Sequence, residues 1–108
     1  MNQEKQANVL IINPVGRIDS VSSGEFEVRI LRLIDHGEHN LVINLSQVDF
    51  VSSAGLRVFL MTAKKLQPVN GKVALCNVIP EVKEVFDISG FSSMFAIKPS
   101  VQEAMALF

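Results

Sequence analysis

Two adjacent serines stand where a predicted buried strand passes into a predicted helix. Ser52 and Ser53 lie in the segment Asp49–Leu56, which follows an apolar run at Leu41–Leu45. The first amides of a helix have no partners within it and lie at the positive end of the helix dipole. A serine there can cap the helix, and a phosphate attached there is well tolerated. The sequence thus leaves two roles open for Ser53, a helix cap or a phosphorylated switch.

No catalytic set accompanies these serines. The Gly-x-Ser-x-Gly pattern of hydrolases is absent, since Gly55 is the only glycine nearby. The Gly-x-x-x-x-Gly-Lys loop that cradles nucleotide phosphates is missing as well. His36 and His39 flank Gly37 without further metal ligands near them, which predicts loop or helix-end residues and no metal site. We therefore predict an interaction module that is not an enzyme and needs no cofactor.

The composition is typical of one globular domain. The chain has 108 residues, 48% of them hydrophobic, and a formal net charge of −1, which argues against binding to nucleic acid or anionic lipid. Cys76 is the only cysteine and lies in an apolar run, so we expect a small core residue and no disulfide. No apolar run approaches membrane-spanning length and no signal peptide is evident, which predicts a soluble, cytoplasmic protein. Residues 1–6 are polar and predict a tail before a domain at 7–108.

Strands and helices alternate along the rest of the chain. Apolar and β-branched runs predict strands near 9–12, 15–18, 41–45, 72–76 and 94–97. Helical spacing predicts helices near 21–36, 54–66, 80–89 and 100–108. This order predicts a single α/β domain with a mixed sheet of four or five strands and about four helices, mainly on one face. Only a short turn separates the first two strands, so we expect them to form an antiparallel hairpin.

Capping residues mark the ends of two of these helices. Ser22 with Glu25 fits a capping box at the first helix, and Gly37 fits its end. Ser100 with Glu103 fits a second capping box at the last helix.

The segment Asp49–Leu56 resembles the signature of the STAS domain, a family named for sulfate transporters and anti-sigma factor antagonists. Gly16-Arg17-Ile18-Asp19 resembles the second landmark of that family, a Gly-x-Leu/Ile-Asp turn. The two landmarks and the order of elements fit over residues 7–108. The short, free-standing form is similar to bacterial anti-sigma factor antagonists, also called anti-anti-sigma factors.

This resemblance implies a partner-switching function without catalysis. The unphosphorylated antagonist would bind a serine kinase of the histidine-kinase-like ATPase class, which also acts as an anti-sigma factor, and so release the sigma factor. Phosphorylation of one serine would end that interaction, and a metal-dependent serine phosphatase would restore it.

The resemblance also implies the site residues. Ser53 aligns with the phosphorylated serine. Many antagonists have an aspartate just before it, and here that position is Ser52, which becomes an alternative acceptor. The implied partner-binding residues are Asp19, Asp49, Ser52, Ser53, Ala54, Gly55, Leu56 and Arg57.

Local chemistry adds expectations for these neighbours. We expect Asp19 to lie beside the serine loop at the carboxyl edge of the sheet, or else to be a plain turn aspartate. The amides of Gly55 and Leu56 should solvate a phosphate, Gly55 should keep the approach to it open, and Leu56 should pack inward. Arg57 is unfavourably placed for the helix dipole and has three candidate roles: a partner contact, an ion pair with Asp49, or a solvated side chain.

Two further functions are compatible with such a domain. One is a scaffold of the stressosome type, which usually carries an additional N-terminal domain that the short segment 1–6 does not supply. The other is a ligand-binding module for a nucleotide or for a lipid transport system. A small-molecule ligand, with no kinase among the partners, would indicate the latter.

Overall fold

A five-stranded mixed sheet forms the centre of the computed structural model, which describes residues 1–108. The strands are β1 (Asn2–Gln6), β2 (Val9–Asn13), β3 (Gly16–Ile18), β4 (Asn40–Asn44), β5 (Val48–Val51), β6 (Lys72–Cys76) and β7 (Ala96–Lys98). The α-helices are α1 (Ser23–Asp35), α2 (Ser53–Leu66), α3 (Pro80–Ile88) and α4 (Val101–Met105). The predicted α/β class, mixed sheet and helix number are confirmed.

The strand order in the main sheet is β1-β2-β4-β6-β7. Strands β2, β4, β6 and β7 are mutually parallel, and β1 joins β2 in the antiparallel sense. Parallel strands need long crossover connections, which the helices provide. The central strands are buried on both faces, and this explains why they read as unbroken apolar runs.

The predicted hairpin between the first two strand candidates is wrong. Residues Gly16–Ile18 form β3, which leaves the main sheet and pairs in parallel with β5 as a separate two-stranded sheet. Both edges of β2 are already occupied, by β1 and β4. Between β2 and β3 the chain passes through Pro14, which has no amide to donate, and Gly16, whose φ is +89°. Pro14 and Gly16 direct the chain away from β2, so β3 does not pair with it.

The predicted tail at residues 1–6 is also wrong, because Asn2–Gln6 form the edge strand β1. All five of its residues are exposed, so hydropathy carries no signal for this strand. Pairing with β2 holds its backbone. Its side chains are also tied to the chain beyond β2: Lys5 Nζ donates to Glu38 at 2.8 Å, and Gln3 accepts from Arg29 at 3.2 Å. The folded domain therefore includes these residues.

The apolar core has two unequal parts, one on each face of the main sheet. The larger cluster contains 19 buried residues, including side chains of α1, α2 and α3. Its centre is Phe59, which makes edge-to-face contacts with Phe26, Phe86 and Phe95. The smaller cluster has six buried residues, among them Cys76, and includes Ala104 of α4. The placement of the helices mainly on one face is confirmed, as is Cys76 as a core residue; burial raises the pKa of its thiol to about 11.

Three of the expected helix ends match the sequence prediction to different degrees. Gly37, with φ +94°, ends α1 as predicted. Ser22 precedes α1, but its side chain does not cap the helix, because the hydroxyl instead donates to the carbonyl of Arg17 at 2.6 Å. Ser100 caps α4 by accepting from the Glu103 amide at 3.1 Å, although the helix ends at Met105 and not at 108. None of the helices combines the length and apolar character required to cross a bilayer.

Candidate functional site at the start of the second helix

The small sheet of β3 and β5 brings the two sequence landmarks together. Ile18 is paired with Val51, so the residues that follow the two strands leave the same end of this sheet. The amide of Ser52 donates to the carbonyl of Ile18 at 2.9 Å. Asp19 therefore lies next to the serine loop, as the sequence predicted. Strand β5 itself was not predicted, because its four residues do not alternate: the two end residues are buried and the two middle residues are exposed.

The two serines have different local roles. Ser52 is the N-cap of α2: its backbone is extended and its Oγ accepts a hydrogen bond from the Gly55 amide at 3.2 Å. Ser53 is the first residue inside the helix, and its side chain is exposed. The cap role considered for Ser53 thus belongs to Ser52. The Ser53 hydroxyl is left facing solvent, without an intramolecular partner.

The amides open to an anion differ from those expected. The amide of Gly55 is taken by Ser52 Oγ, and that of Leu56 donates to the carbonyl of Ser52 at 2.9 Å. The amides of Ser53 and Ala54, at the first two helical positions, have no carbonyl to reach within the helix. An anion on Ser53 would therefore meet these two amides, together with the positive end of the helix dipole.

Gly55 is required for packing and not for an open approach. A Cβ at this position would lie 2.7 Å from the carbonyl oxygen of Ile18, 2.9 Å from Ile18 Cγ2 and 3.0 Å from Val51 Cγ1. Only a glycine lets the start of α2 approach the small sheet so closely. Leu56 is buried, as predicted, and together these two residues fix the helix start beneath the exposed Ser53.

Asp19 has a clear structural role in the turn that leads into α1. Its Oδ1 accepts hydrogen bonds from the amides of Val21 and Ser22, both at 3.0 Å. These bonds, with smaller contributions from the Ser22 hydroxyl and Arg17, lower the pKa of Asp19, so the carboxylate is charged at neutral pH. The Arg17 guanidinium is 3.5 Å from Asp19 Oδ2 and also lies 4.1 Å over the ring of Phe50.

The three other predicted site residues are placed around the serines without forming a network. Asp49 and Arg57 are both exposed, and the ion pair considered between them is not formed. Ala54 is half-buried beside Ser53. The first turn of α2 contains no acidic residue, so the cation at position 57 has no acidic neighbour within it.

Sequence reasoning missed two exposed apolar side chains near this loop. Val21, on the turn formed by Asp19, is 87% exposed, and Phe50 of β5 is 37% exposed. An isolated valine among serines in a turn was a usable signal for the first. Phe50 was not distinguishable from a core residue, because its exposure depends on the pairing of β5 with β3.

The described residues hold no group of three or more histidine, cysteine, aspartate or glutamate side chains that could bind a metal ion. The groups available for chemistry at this site are the free hydroxyl of Ser53, the open amides of Ser53 and Ala54, the Asp19 carboxylate and the Arg57 guanidinium, which forms no ion pair.

The family model of the STAS domain matches residues 1–104. This chain belongs to the STAS domain family. BtrV of Bordetella bronchiseptica, provisionally named an anti-sigma factor antagonist, is 39% identical over 108 residues, covering 100% of this chain and 93% of BtrV. The anti-sigma F factor antagonist of Paenibacillus polymyxa is 29% identical over 100 residues, covering 92% of this chain and 83% of that protein.

The fold is shared with a solved anti-sigma factor antagonist, SpoIIAA. Its unphosphorylated form superposes with a TM-score of 0.84 at 24% identity, covering 96% of this chain and 91% of SpoIIAA. The phosphorylated form of SpoIIAA from Bacillus superposes with a TM-score of 0.75 at 22% identity, covering 97% and 96%. At this level of identity the likeness establishes the common fold.

Proposed function

We propose that this protein is an anti-sigma factor antagonist that binds an anti-sigma serine kinase of the histidine-kinase-like ATPase class and is inactivated by phosphorylation of Ser53. The observation that carries the proposal is that the two serines have different structural roles. Ser52 is committed to capping α2, whereas Ser53 presents an exposed hydroxyl at the first helical position. A kinase can reach Ser53 without unfolding the helix.

The relatives support the same class of function. BtrV and the Paenibacillus protein are both named as anti-sigma factor antagonists. SpoIIAA, which has this fold, has been solved in an unphosphorylated and a phosphorylated form. Both forms superpose on this chain, which supports a modification that leaves the domain folded.

The local electrostatics suit a phosphate on Ser53. A phosphoserine carries a charge of about −1.5 to −2 and three strong acceptor oxygens. The helix dipole favours such a group by about 0.3–1 kcal/mol, and the amides of Ser53 and Ala54 are open to it. Arg57 lies four residues on and is exposed, so it can approach the same phosphate. Phosphorylation therefore stabilises the start of α2, and its effect is on partner binding and not on folding.

The phosphate would weaken partner binding through repulsion and bulk. Each loss of about 1.4 kcal/mol lowers affinity tenfold, so a few kcal/mol is enough to release the kinase. Among the implied partner-binding residues, Asp19, Asp49, Ser53 and Arg57 present accessible side chains, while Gly55 and Leu56 support the loop from beneath. A metal-dependent serine phosphatase in the cytoplasm would reverse the modification.

Phosphorylation with the purified cognate kinase and ATP tests this proposal by mass spectrometry. One phosphate is expected on the wild-type chain and on Ser52→Ala, and none on Ser53→Ala. An undiminished phosphate signal in Ser53→Ala would sink the assignment of the acceptor. Phosphate lost only in Ser52→Ala would move the acceptor to Ser52, whose Oγ is engaged with the Gly55 amide.

A binding experiment tests the partner class separately. Ser53→Ala and the wild type, each immobilised, are expected to retain the purified kinase, and wild type phosphorylated on Ser53 is expected to release it. Equal retention of the kinase by all three forms would contradict partner switching.

A further inference from the structure

The charges of this chain are segregated along its length. No acidic residue lies between Asp49 and Glu81, although the chain has 11 acidic residues in total. Four of its 10 basic residues fall in that stretch, namely Arg57, Lys64, Lys65 and Lys72. The net charge of −1 therefore conceals one strongly basic segment, which coincides with α2 and the start of β6.

Three of these cations form one exposed surface on α2. Arg57, Lys64 and Lys65 are exposed, and none takes part in an ion pair. Leu60 and Met61 lie between them along the helix and are half-buried. Helical spacing places these five residues along one side of α2, at whose inner edge Met61 also packs against the larger core cluster. We refer to them as the α2 basic face.

The fourth cation is engaged with the C-terminal end of the chain. Lys72 Nζ donates to the carbonyl of Leu107 at 2.9 Å and lies 5.7 Å over the ring of Phe108. The ion pairs of the molecule lie elsewhere, at Lys5–Glu38, Arg17–Asp19 and Lys83–Asp87. Arg29, Arg32 and Lys98 also lie outside these ion pairs, so the α2 basic face is distinguished by three cations that lie together in a stretch of sequence without acidic residues.

The surface is open to solvent, with shallow depressions between its side chains. A groove of about 380 Å³ is lined by the five residues of the α2 basic face. A second groove of about 430 Å³ adjoins it, since Leu60 and Lys64 line both, and it reaches Met94, which is 52% exposed. Basic side chains thus surround apolar floor residues along the length of the helix.

We propose that the α2 basic face docks an acidic, amphipathic segment of a partner protein. Carboxylates of such a segment would meet Arg57, Lys64 and Lys65, while its apolar side chains would lie against Leu60 and Met61 in the grooves. Charge complementarity of this kind raises association rates and selects partners. The face shares Arg57 with the proposed kinase-binding site. The proposal nevertheless goes beyond the modification of Ser53 and does not require it, because Lys64 and Lys65 lie at the other end of α2.

Two other polyanions fit less well. Anionic membranes are usually recognised by clusters of about 4–8 basic residues, whereas this face has three. A nucleic acid backbone would use the cations but would leave Leu60 and Met61 without partners. A protein segment accounts for both the charges and the apolar floor.

Titration of ¹⁵N-labelled full-length protein, followed by NMR, tests the proposal. The probe is a 14-residue helical peptide with Glu and Leu at amphipathic spacing, and the control peptide has Lys in place of each Glu. Chemical-shift changes are expected at the α2 basic face with the Glu peptide only, and they should weaken as salt is raised, because screening reduces exposed charge interactions. Binding of both peptides alike, or shifts confined to other elements, would overturn the proposal.

Charge-reversal variants provide the second part of this experiment. Lys64→Glu combined with Lys65→Glu is expected to weaken binding of the Glu peptide by about tenfold or more, since two attractive charges become repulsive. Arg29→Glu combined with Arg32→Glu is the matched control, because it changes the net charge by the same amount and both residues are exposed on a different helix, α1. It should change the affinity by less than about twofold. An equal loss in both variants would show a net-charge effect and contradict a specific face.

The same assay separates the other polyanions. Vesicles containing phosphatidylserine and a short DNA duplex are titrated under identical conditions. Tighter binding of either one than of the Glu peptide would overturn the choice of a protein segment. Lys64→Ala with Lys65→Ala, which preserves helix propensity, replaces the charge-reversed pair if circular dichroism shows that pair to be unfolded.

Discussion

Ser52 and Ser53 are adjacent and chemically identical, yet their surroundings give them different roles. Ser52 caps the helix, and Ser53 has a free hydroxyl. Ser52 is held in an extended backbone by the bond from its amide to the Ile18 carbonyl, and its Oγ is drawn to the Gly55 amide. Ser53 lies one residue inside the helix, where its hydroxyl reaches solvent. A substitution at one position should therefore affect stability, and a substitution at the other should affect modification.

We predict that Ser52→Ala lowers the free energy of unfolding by about 1 kcal/mol, because it removes the side-chain cap. Ser53→Ala is predicted to change it by less than about 0.5 kcal/mol, since that side chain is exposed and unpaired. Urea denaturation followed by circular dichroism measures both values.

Ser52→Asp provides the control for this prediction. Aspartate caps helices about as well as serine, so this variant should retain wild-type stability. It also introduces the residue found at this position in many antagonists. Equal stability of Ser52→Ala and Ser53→Ala would show that the Ser52–Gly55 bond contributes nothing to folding.

The choice of capping residue could not be read from the sequence. Both serines have the right side chain, and both lie at the predicted start of the helix. The decision depends on Ile18, which is far away along the chain and fixes the backbone of Ser52 through one hydrogen bond.

At the scale of elements, the candidate site depends on how closely α2 approaches the small sheet. Gly55 brings the helix backbone against Ile18 and Val51, and the pairing of β3 with β5 provides the surface on which it packs. The site is therefore built by two short strands that are separate from the main sheet.

We predict that Gly55→Ala lowers the free energy of unfolding by about 1–3 kcal/mol, because the new methyl group would overlap the backbone oxygen of Ile18. Thermal and urea denaturation measure the effect. The displaced helix start should also slow phosphorylation of Ser53, which a kinase assay measures independently.

Gly24→Ala is the matched control within the same chain. Gly24 also lies in the first turn of a helix, but a methyl group there meets nothing within 4 Å. This variant should be stabilised by up to about 1 kcal/mol, because alanine favours the helix and restricts the unfolded chain. Destabilisation of both variants to the same extent would contradict the steric explanation for Gly55.

The errors made for β1 and β3 have a shared physical cause. A strand is recognised in a sequence by the side chains it buries, and β1 buries none of its five residues. Strand β3 is recognisable, but its partner is not, because pairing is chosen by the space left after β1 and β4 occupy both edges of β2.

At the scale of the whole molecule, one aromatic side chain connects the three helices of the larger core. Phe59 of α2 contacts Phe26 of α1, Phe86 of α3 and Phe95 before β7 in edge-to-face geometry. Its side chain is completely buried. Phe59 therefore holds α2, the helix that begins with Ser53, against α1 and α3.

We predict that Phe59→Ala lowers the free energy of unfolding by about 3–5 kcal/mol, a large part of the 5–15 kcal/mol typical of a domain. Calorimetry and urea denaturation measure the loss. Phe50→Ala is the control, because Phe50 is partly exposed and contacts the Arg17 guanidinium, an interaction of about 0.5–1 kcal/mol at exposed sites. Similar losses in the two variants would argue against a central role for Phe59.

The sequence by itself determined the class of fold, the inward faces of the helices and the segment that contains the candidate site. These features are local, because the spacing of apolar residues within one element already states which face is buried. Helix α1 is an example: Phe26, Ile30, Leu33 and Ile34 recur at helical spacing, and all are buried except Leu33, which is half-buried.

Only the tertiary structure decided which serine caps α2, why position 55 is glycine, which strands pair, and that the cations of α2 share one face without ion pairs. Each of these depends on groups that are distant in the chain, such as the Ile18 carbonyl beneath Ser52 and Gly55. Contacts of that kind arise from the packing of the whole domain, and no short stretch of sequence contains them.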